Sequence, residues 1–457
     1  YRPNPPVPKV KWSIRNNINL QQSGLLFGMN FLAANKERFL RNFYLKSKRS
    51  VEKAANEGPA AWAIFRDQRP VEAASLVNLL RLEGVEIHVL EKETEVKQGK
   101  LPEGTYLARM DQPYSRMADM LLDTQYYNPS DPRPYDDTGW SLGALRNVKT
   151  VRVTDAAVLK AAMRPLDIEA RAEGGVAGAS GTAAYLIDHN TDNTLATLRF
   201  RLAKVKMLAA EEAFEQEIAP GKKQKFSPGS FIIPIEGNDS DLRSQLEAAV
   251  KELGLTAQAT DTMPKVATHP LAVPRVALLH TWISTQNEGW YRIAFDQLKI
   301  PYSYISDHVI RDTPRLRDRF DVIVFPPVGG TTARLVHGLP LRGEPIPWKA
   351  SELTPNIATS PDTTDDMRGG MGFQGLANLK KFVEEGGVFM VIGGNAALPV
   401  NFGLVEGVTI TDTRQLQARG TVVNATVADP KSPIAYGYRD KLAVYFNQSP
   451  VFRVGLM

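Results

Sequence analysis

The chain has 457 residues, a net charge of +5, 43% hydrophobic and 23% charged residues; this is a globular composition too long for one core, so two to four domains of roughly 100–200 residues are expected. Basic residues are interspersed with nearly as many acids and no basic block is interleaved with aromatics, which argues against nucleic-acid binding. The sequence holds no cysteine, which excludes thiol nucleophiles, disulfides and cysteine zinc sites, and no apolar run reaches the roughly 18–20 residues of a membrane span.

The first stretch, YRPNPPVPKVKW, is proline-rich and extended, carries no signal-peptide pattern and starts on Tyr1, so the chain is expected to be a piece of a longer protein. After it, Leu25, Met29, Leu32, Phe39, Phe43 and Leu45 recur near helical spacing and basic residues precede Gly58. That predicts one long helix, or two joined at a small kink, suited to the flank of a domain whose remainder lies elsewhere. From Gly58 the pattern turns to strand, helix, strand: PAAWAIF, a helix opened by Pro70 and stopped at Gly84, then VEIHVL. A turn at 102–104, a strand and a helix opened by Pro113 complete a βαβ-type block over 58–168.

A second copy is expected over 169–272. Gly181-Thr-Ala-Ala-Tyr185 matches Gly58-Pro-Ala-Ala-Trp62, and Lys225-Phe-Ser-Pro-Gly-Ser-Phe231 matches Lys100-Leu-Pro-Glu-Gly-Thr-Tyr106, each pair followed by an acid-containing turn and a helix. Between the copies, 126–148 reads as a loop rich in Pro, Asp and aromatics, and 169–181 as a small, polar linker. The duplication bears on His88 and Glu91, whose His-x-x-Glu spacing is that of a zinc site with His189 as a third candidate ligand. His88 falls in a strand, where residues three apart face opposite sides of the sheet, and its counterpart in the second copy lies near Leu208. A packing position, and not a metal clasp, is therefore expected.

Over 273–457 the strands PRVALLHTW, YSYISD, RFDVIVFPP and VFMVIGG alternate with the helices NEGWYRIAFDQLKI and GLANLKKFVEEGG. This predicts a doubly wound, flavodoxin-like α/β domain, with a long loop at 330–367 and a β-rich tail over 401–457. Such sheets hold ligands at the carboxyl ends of their strands, which singles out the loop carrying His280, Trp282, Ser284, Glu288, Trp290 and Arg292. Two accounts of it stand side by side: a polar ligand held around Trp282, Glu288 and Arg292, or a helix N-terminus with Asn287 or Glu288 near the cap, Trp290 in the core and Arg292 paired to an acid.

Three further features are weaker. Gly370, Gly372 and Gly375 loosely fit a dinucleotide fingerprint but do not follow a strand, so a turn that caps a helix or anchors a carboxylate is expected there. VIGGNAALP occupies the place of a strand-to-helix nucleophile elbow, yet Gly393, Gly394 and Asn395 supply no attacking atom. The pairs Asp136-Asp137 and Asp365-Asp366 read as solvated turns.

The stretches WSIRNNINLQQSGLLFGMNFLAANKERFLRNFYLKSKRSV, RMDQPYSRMADMLLDTQYYNPSDPRPYDDTGWSLGALRNV and GGMGFQGLANLKKFVEEGG together resemble the C-terminal part of large bacterial zinc carboxypeptidases of the carboxypeptidase A type. The similarity runs over most of the chain and is most specific at 101–150. It implies a secreted or periplasmic protein that removes C-terminal residues from peptides, with the peptidase domain first and a glutamine amidotransferase-like domain last. Residues 1–57 would then be the closing segment and final helix of the peptidase domain. Such catalysis needs a His-x-x-Glu pair and a later His on zinc, a general-base Glu and an Arg for the substrate carboxylate, and none of these motifs maps onto this sequence. The resemblance thus implies a segment with no catalytic residue, metal ligand or cofactor of its own, serving stability, interdomain packing or substrate access. Its partners would be the upstream peptidase domain and, through it, the peptide substrate. The alternative is a small-ligand or carbohydrate/peptide-binding module in the last α/β domain.

Overall fold

The computed structural model of the chain describes residues 11–124, 128, 130, 140–178, 182–416, 418, 420–438 and 441–455. Helices and strands form an α/β fold in two units, one made of Tyr1–Ala63, Leu80–Leu121 and Val151–Asp167, the other of Ile64–Leu79, Leu122–Thr150 and Ile168–Met457.

The first unit opens with α1 (Ile14–Ala34) and α2 (Lys36–Asn56), so the kinked alternative holds. The break falls at Asn35, whose φ of −115° and ψ of 21° leave the helical region while its side-chain amide donates to the Phe31 carbonyl at 2.8 Å. Asparagine competes in this way with the helical hydrogen bonds. Residues expected to pack are exposed: Leu25 and Met29 are 67% and 65% accessible, and no residue of α1 is buried. The far end of α2 is anchored, because Ser115 Oγ donates to the Ser50 carbonyl at 3.2 Å and Arg116 Nε to Ser50 Oγ at 3.1 Å.

The sheet of this region contains β1 (Ala61–Ile64), β2 (Ile87–Leu90), β3 (Tyr106–Arg109), β4 (Thr150–Val153) and β5 (Met163–Pro165), in the order β4-β1-β3-β2-β5. The helix α3 (Pro70–Leu82) links β1 to β2, and α4 (Ser115–Leu122) follows β3. β2 runs antiparallel to β3 and β5. The expected βαβ block is therefore split, with β3 inserted between the two helix-linked strands.

In the second unit, β6 (Gly175–Ala177), β7 (Ala184–Ile187), β8 (Leu208–Ala210), β9 (Phe231–Pro234), β10 (Thr256–Thr260) and β11 (Thr268–Pro270) are ordered β11-β8-β9-β7-β10-β6. Read from the other edge, β10-β7-β9-β8-β11 repeats β4-β1-β3-β2-β5, so the duplication extends from matched words to strand order. His88 opposite Leu107 corresponds to Leu208 opposite Ile232, the equivalence that the sequence suggested. The helices α5 (Thr194–Arg201) and α6 (Leu242–Leu253) cover this sheet through Leu198, Leu246 and Val250, packed with Tyr185 and Ile187.

Two details depart from expectation. Part of the supposed linker 169–181 is β6, an edge strand parallel to β10 with Gly175 opposite Thr256. Gly174 permits this approach, since a Cβ there would stand 2.0 Å from the Val250 carbonyl oxygen. Second, Arg69 is buried: its guanidinium donates to the carbonyls of Thr191 and Arg146 and faces Asp192 at 3.7 Å and Glu72 at 4.0 Å. Glu72 also accepts from Asn193 Nδ2 at 2.8 Å and faces Arg146 at 3.2 Å. Burial raises the Asp192 carboxyl above its ordinary range despite the nearby Arg69.

Further along the second unit lie four parallel strands, β12 (Val276–His280), β13 (Tyr302–Ser306), β14 (Val322–Phe325) and β15 (Val388–Val391), in the order β13-β12-β14-β15. Between them run α7 (Gln286–Gln297), α8 (Asp307–Asp312), α9 (Thr332–His337) and α10 (Gly372–Glu384). Strand order reverses beside β12, which opens a crevice at its carboxyl end. Ile305, Ile323, Phe325, Leu379 and Phe382 fill the core. The long loop 330–367 is partly ordered by α9 and a 3-10 turn at Pro355–Thr359.

The tail forms two antiparallel strand pairs, Thr421–Thr426 with Lys441–Phe446 and, enclosing it in sequence, Val408–Ile410 with Phe452–Val454. It docks on the second repeat at Gly437, whose φ is +75° and where a Cβ would lie 2.1 Å from His189 Nδ1. The Gly437 amide donates to the Pro228 carbonyl at 3.1 Å. Most of the loop expected at 126–148, including Asp136-Asp137, lies outside the described residues.

Candidate functional site

The three residues singled out as ligand-binding, Trp282, Glu288 and Arg292, line one cavity of about 250 Å³ together with His280, Ser284, Thr285, Tyr304, Trp348 and Asp362. Its floor is the carboxyl end of β12. The apolar run Val276–Leu279 is drawn into the sheet, which leaves His280 as the last strand residue, almost fully buried beneath the turn into α7.

His280 is fixed on three sides. Its Nε2 lies 2.9 Å from Asp362 Oδ2, its ring stacks on Tyr304 with centroids 4.2 Å apart, and Trp282 meets it edge-on at 4.9 Å. A carboxylate only accepts, so the proton sits on Nε2. Burial lowers the pKa of the imidazole, and the hydrogen bond and charge of Asp362 offset part of that shift.

The second half of the site is Glu288, in the first turn of α7 and almost fully buried. Tyr304 donates its hydroxyl to Glu288 Oε1 at 2.6 Å. Burial and this hydrogen bond to the carboxylate push the Tyr304 phenol far above its usual range. Arg292 Nε approaches Glu288 Oε2 at 3.4 Å, an ion pair without hydrogen-bond geometry, and its guanidinium carbon stands 5.0 Å from the Tyr304 ring centre. Glu288 Oε2, Arg292 Nε and Trp282 Nε1 are consequently buried polar atoms with no hydrogen-bond partner. Such atoms are rare in a satisfied interior.

Of the helix-terminus account of this loop, part is observed. Arg292 does pair with an acid, Glu288, and Asn287 and Glu288 lie in the first turn after the cap, Thr285, but Trp290 is 68% exposed instead of buried. Glu288 and Arg292 share one helix face at i,i+4, which turns Trp290 to the other. Tyr304, Trp348 and Asp362 were not anticipated. Tyr304 alternates with Tyr302 in β13 and was readable as one strand face; Trp348 and Asp362 come from the long loop, where no periodicity points to them.

Beside the cavity, Asp307 follows β13 and is completely buried, with both carboxyl oxygens lacking a hydrogen-bond partner. Burial raises its pKa to about 7.

The other candidates are used structurally. A Cβ on Gly370 would stand 2.6 Å from the Val336 carbonyl oxygen and one on Gly375 2.5 Å from Met371 Cβ, so these glycines permit close packing around α10. At the elbow, Gly393 takes φ +62°, and the buried Asn395 accepts from the Val328 amide at 2.9 Å and donates to the Pro326 carbonyl at 2.6 Å. Asp366 is clamped by Arg368, and Asp365 meets Lys349.

Among the described residues, no three His, Asp or Glu side chains converge so as to hold a metal ion. His88 sits in β2 and Glu91 follows it on the surface, whereas His189 packs edge-on to Phe231 with centroids 6.3 Å apart. Burial lowers the pKa of both histidines.

Comparison with models of protein families, with curated proteins and with solved structures finds no match to this chain.

Proposed function

We propose that this chain is the non-catalytic C-terminal region of a zinc metallocarboxypeptidase-like protein, and that its last α/β domain, flavodoxin-like or amidotransferase-like in kind, is a small-ligand-binding module. What supports the binding reading is the buried trio of Glu288 Oε2, Trp282 Nε1 and Arg292 Nε around one cavity at a strand end. What supports the accessory reading is the resemblance, joined to the exposed apolar residues of α1, which an adjoining peptidase domain would cover. In that parent the zinc and the hydrolytic residues belong to the adjoining domain.

Thermal unfolding with small polar ligands tests the module, because a ligand specific to the folded state raises the midpoint. A flat midpoint across sugars, amino acids, peptides and nucleotides sinks it. Zinc content and release of C-terminal residues from peptides test the accessory reading. One zinc per chain together with turnover would refute a non-catalytic role.

A further inference from the structure

We infer that the cavity around Glu288 takes a neutral, hydroxyl-rich ring of monosaccharide size, an inference that rests on the small-ligand reading above. The unpaired atoms are of both kinds: Glu288 Oε2 and His280 Nδ1 have to accept, whereas Trp282 Nε1 and Arg292 Nε have to donate. A hydroxyl does either, and neighbouring ring hydroxyls meet several such atoms at once. An isolated carboxylate would satisfy the donors but face Glu288 and Asp362. An isolated ammonium would satisfy Glu288 but face Arg292. Each leaves a buried polar atom unmatched, which weakens binding.

Charge points the same way. Glu288 is countered by Arg292 and by the Tyr304 hydroxyl, while Asp362 is hydrogen-bonded by His280 but keeps its charge, which disfavours an anion. The walls suit the apolar side of a sugar ring, since Trp282 and Trp348 both line the cavity. Trp348 spends its indole N–H on Ser360 Oγ at 3.2 Å, so its ring is held in place. Aromatic walls combined with polar tips are well matched to a molecule with one C–H side and a rim of hydroxyls. The volume of about 250 Å³ lies at the small end of ligand clefts and admits one ring, not a chain of them.

The experiment uses the full chain with glucose, galactose and N-acetylglucosamine, alongside leucine as a zwitterion, choline as a cation and acetate as an anion. Binding is read by calorimetry and ligand-observed NMR. At least one sugar is expected to bind, and Trp282→Phe and Glu288→Gln are each expected to weaken it by about tenfold, with thermal midpoints close to that of the parent. Should Glu288→Gln loosen the fold, Trp282→Phe, which keeps an aromatic ring, decides. Binding of leucine, choline or acetate without any sugar overturns the sugar assignment and leaves the small-ligand site standing. Sugar binding that neither variant weakens places the sugar elsewhere and also overturns it. Silence from all six probes overturns the sugar assignment, and silence from peptides and nucleotides as well removes the small-ligand reading.

Discussion

Tyr304 and Glu288 form the shortest side-chain link in the cavity, a phenol-to-carboxylate hydrogen bond of 2.6 Å that joins β13 to the first turn of α7. Among the described residues it is the one hydrogen bond to this buried carboxylate, whose other oxygen has none. Tyr304→Phe should therefore destabilise the folded chain by about 1–3 kcal/mol, the cost of stripping a partner from a buried acceptor. Denaturant midpoints of the two proteins at neutral pH measure it; equal midpoints would mean that water replaces the phenol without cost.

Asp307 predicts a pH dependence. Its folded pKa, about 7, lies above the unfolded value near 4, so the folded state binds the extra proton. The contribution is complete below about pH 4 and is lost as pH rises through 7. Asp307→Asn should accordingly be more stable than the parent at pH 8, by an amount that shrinks towards pH 5. Parallel denaturation curves at the two pH values check this, and a difference that grows towards low pH contradicts it.

His280 shifts in the opposite sense. Burial lowers its folded pKa below the unfolded value near 6.5, so the unfolded chain binds more protons in the window just below 6.5. Stability should fall as pH drops through that window, and His280→Gln should flatten the slope. NMR titration of the imidazole against a free-histidine standard gives the direct reading.

Arg69 is a buried cation facing two buried acids, Asp192 and Glu72. Arg69→Ala leaves Asp192 without its cation and two carbonyls without their donor, while Glu72 keeps Arg146, and should cost about 3–5 kcal/mol. A loss below 1 kcal/mol in urea unfolding would show that the acids are neutralised by protonation or reached by water.

Gly437→Ala places a methyl group against His189 at a backbone conformation that favours glycine. The tail should release from the second repeat, seen as faster proteolytic cleavage within 408–455 while the sheets resist. Unchanged cleavage would mean that the tail shifts to make room.

Much of this architecture is legible in the sequence, for identifiable reasons. Pro70 and Gly84 bracket α3, the run Val276–Leu279 is apolar enough to be a buried strand, and the words around Trp62 and Tyr185 mark equivalent strands. The equivalence of His88 and Leu208 follows from that match. Strand order was not legible: β1 and β2 read as neighbours because a helix links them, and only long-range pairing places β3 between them. In the site, Glu288 and Arg292 were readable as an i,i+4 pair, which also requires Trp290 to face away. Asp362 was not, because it reaches His280 from 82 residues further along the chain.

The insertion of β3 constrains how each repeat is made. When a growing chain has emerged from the ribosome only as far as Leu90, β1 and β2 are present but the strand that separates them is not, and both expose unpaired edges. β7 and β8 wait in the same way for residues 231–234. Each repeat thus passes through a translational interval in which its apolar strands are open to chaperones, proteases and neighbouring nascent chains, and that interval closes only when the late strand arrives.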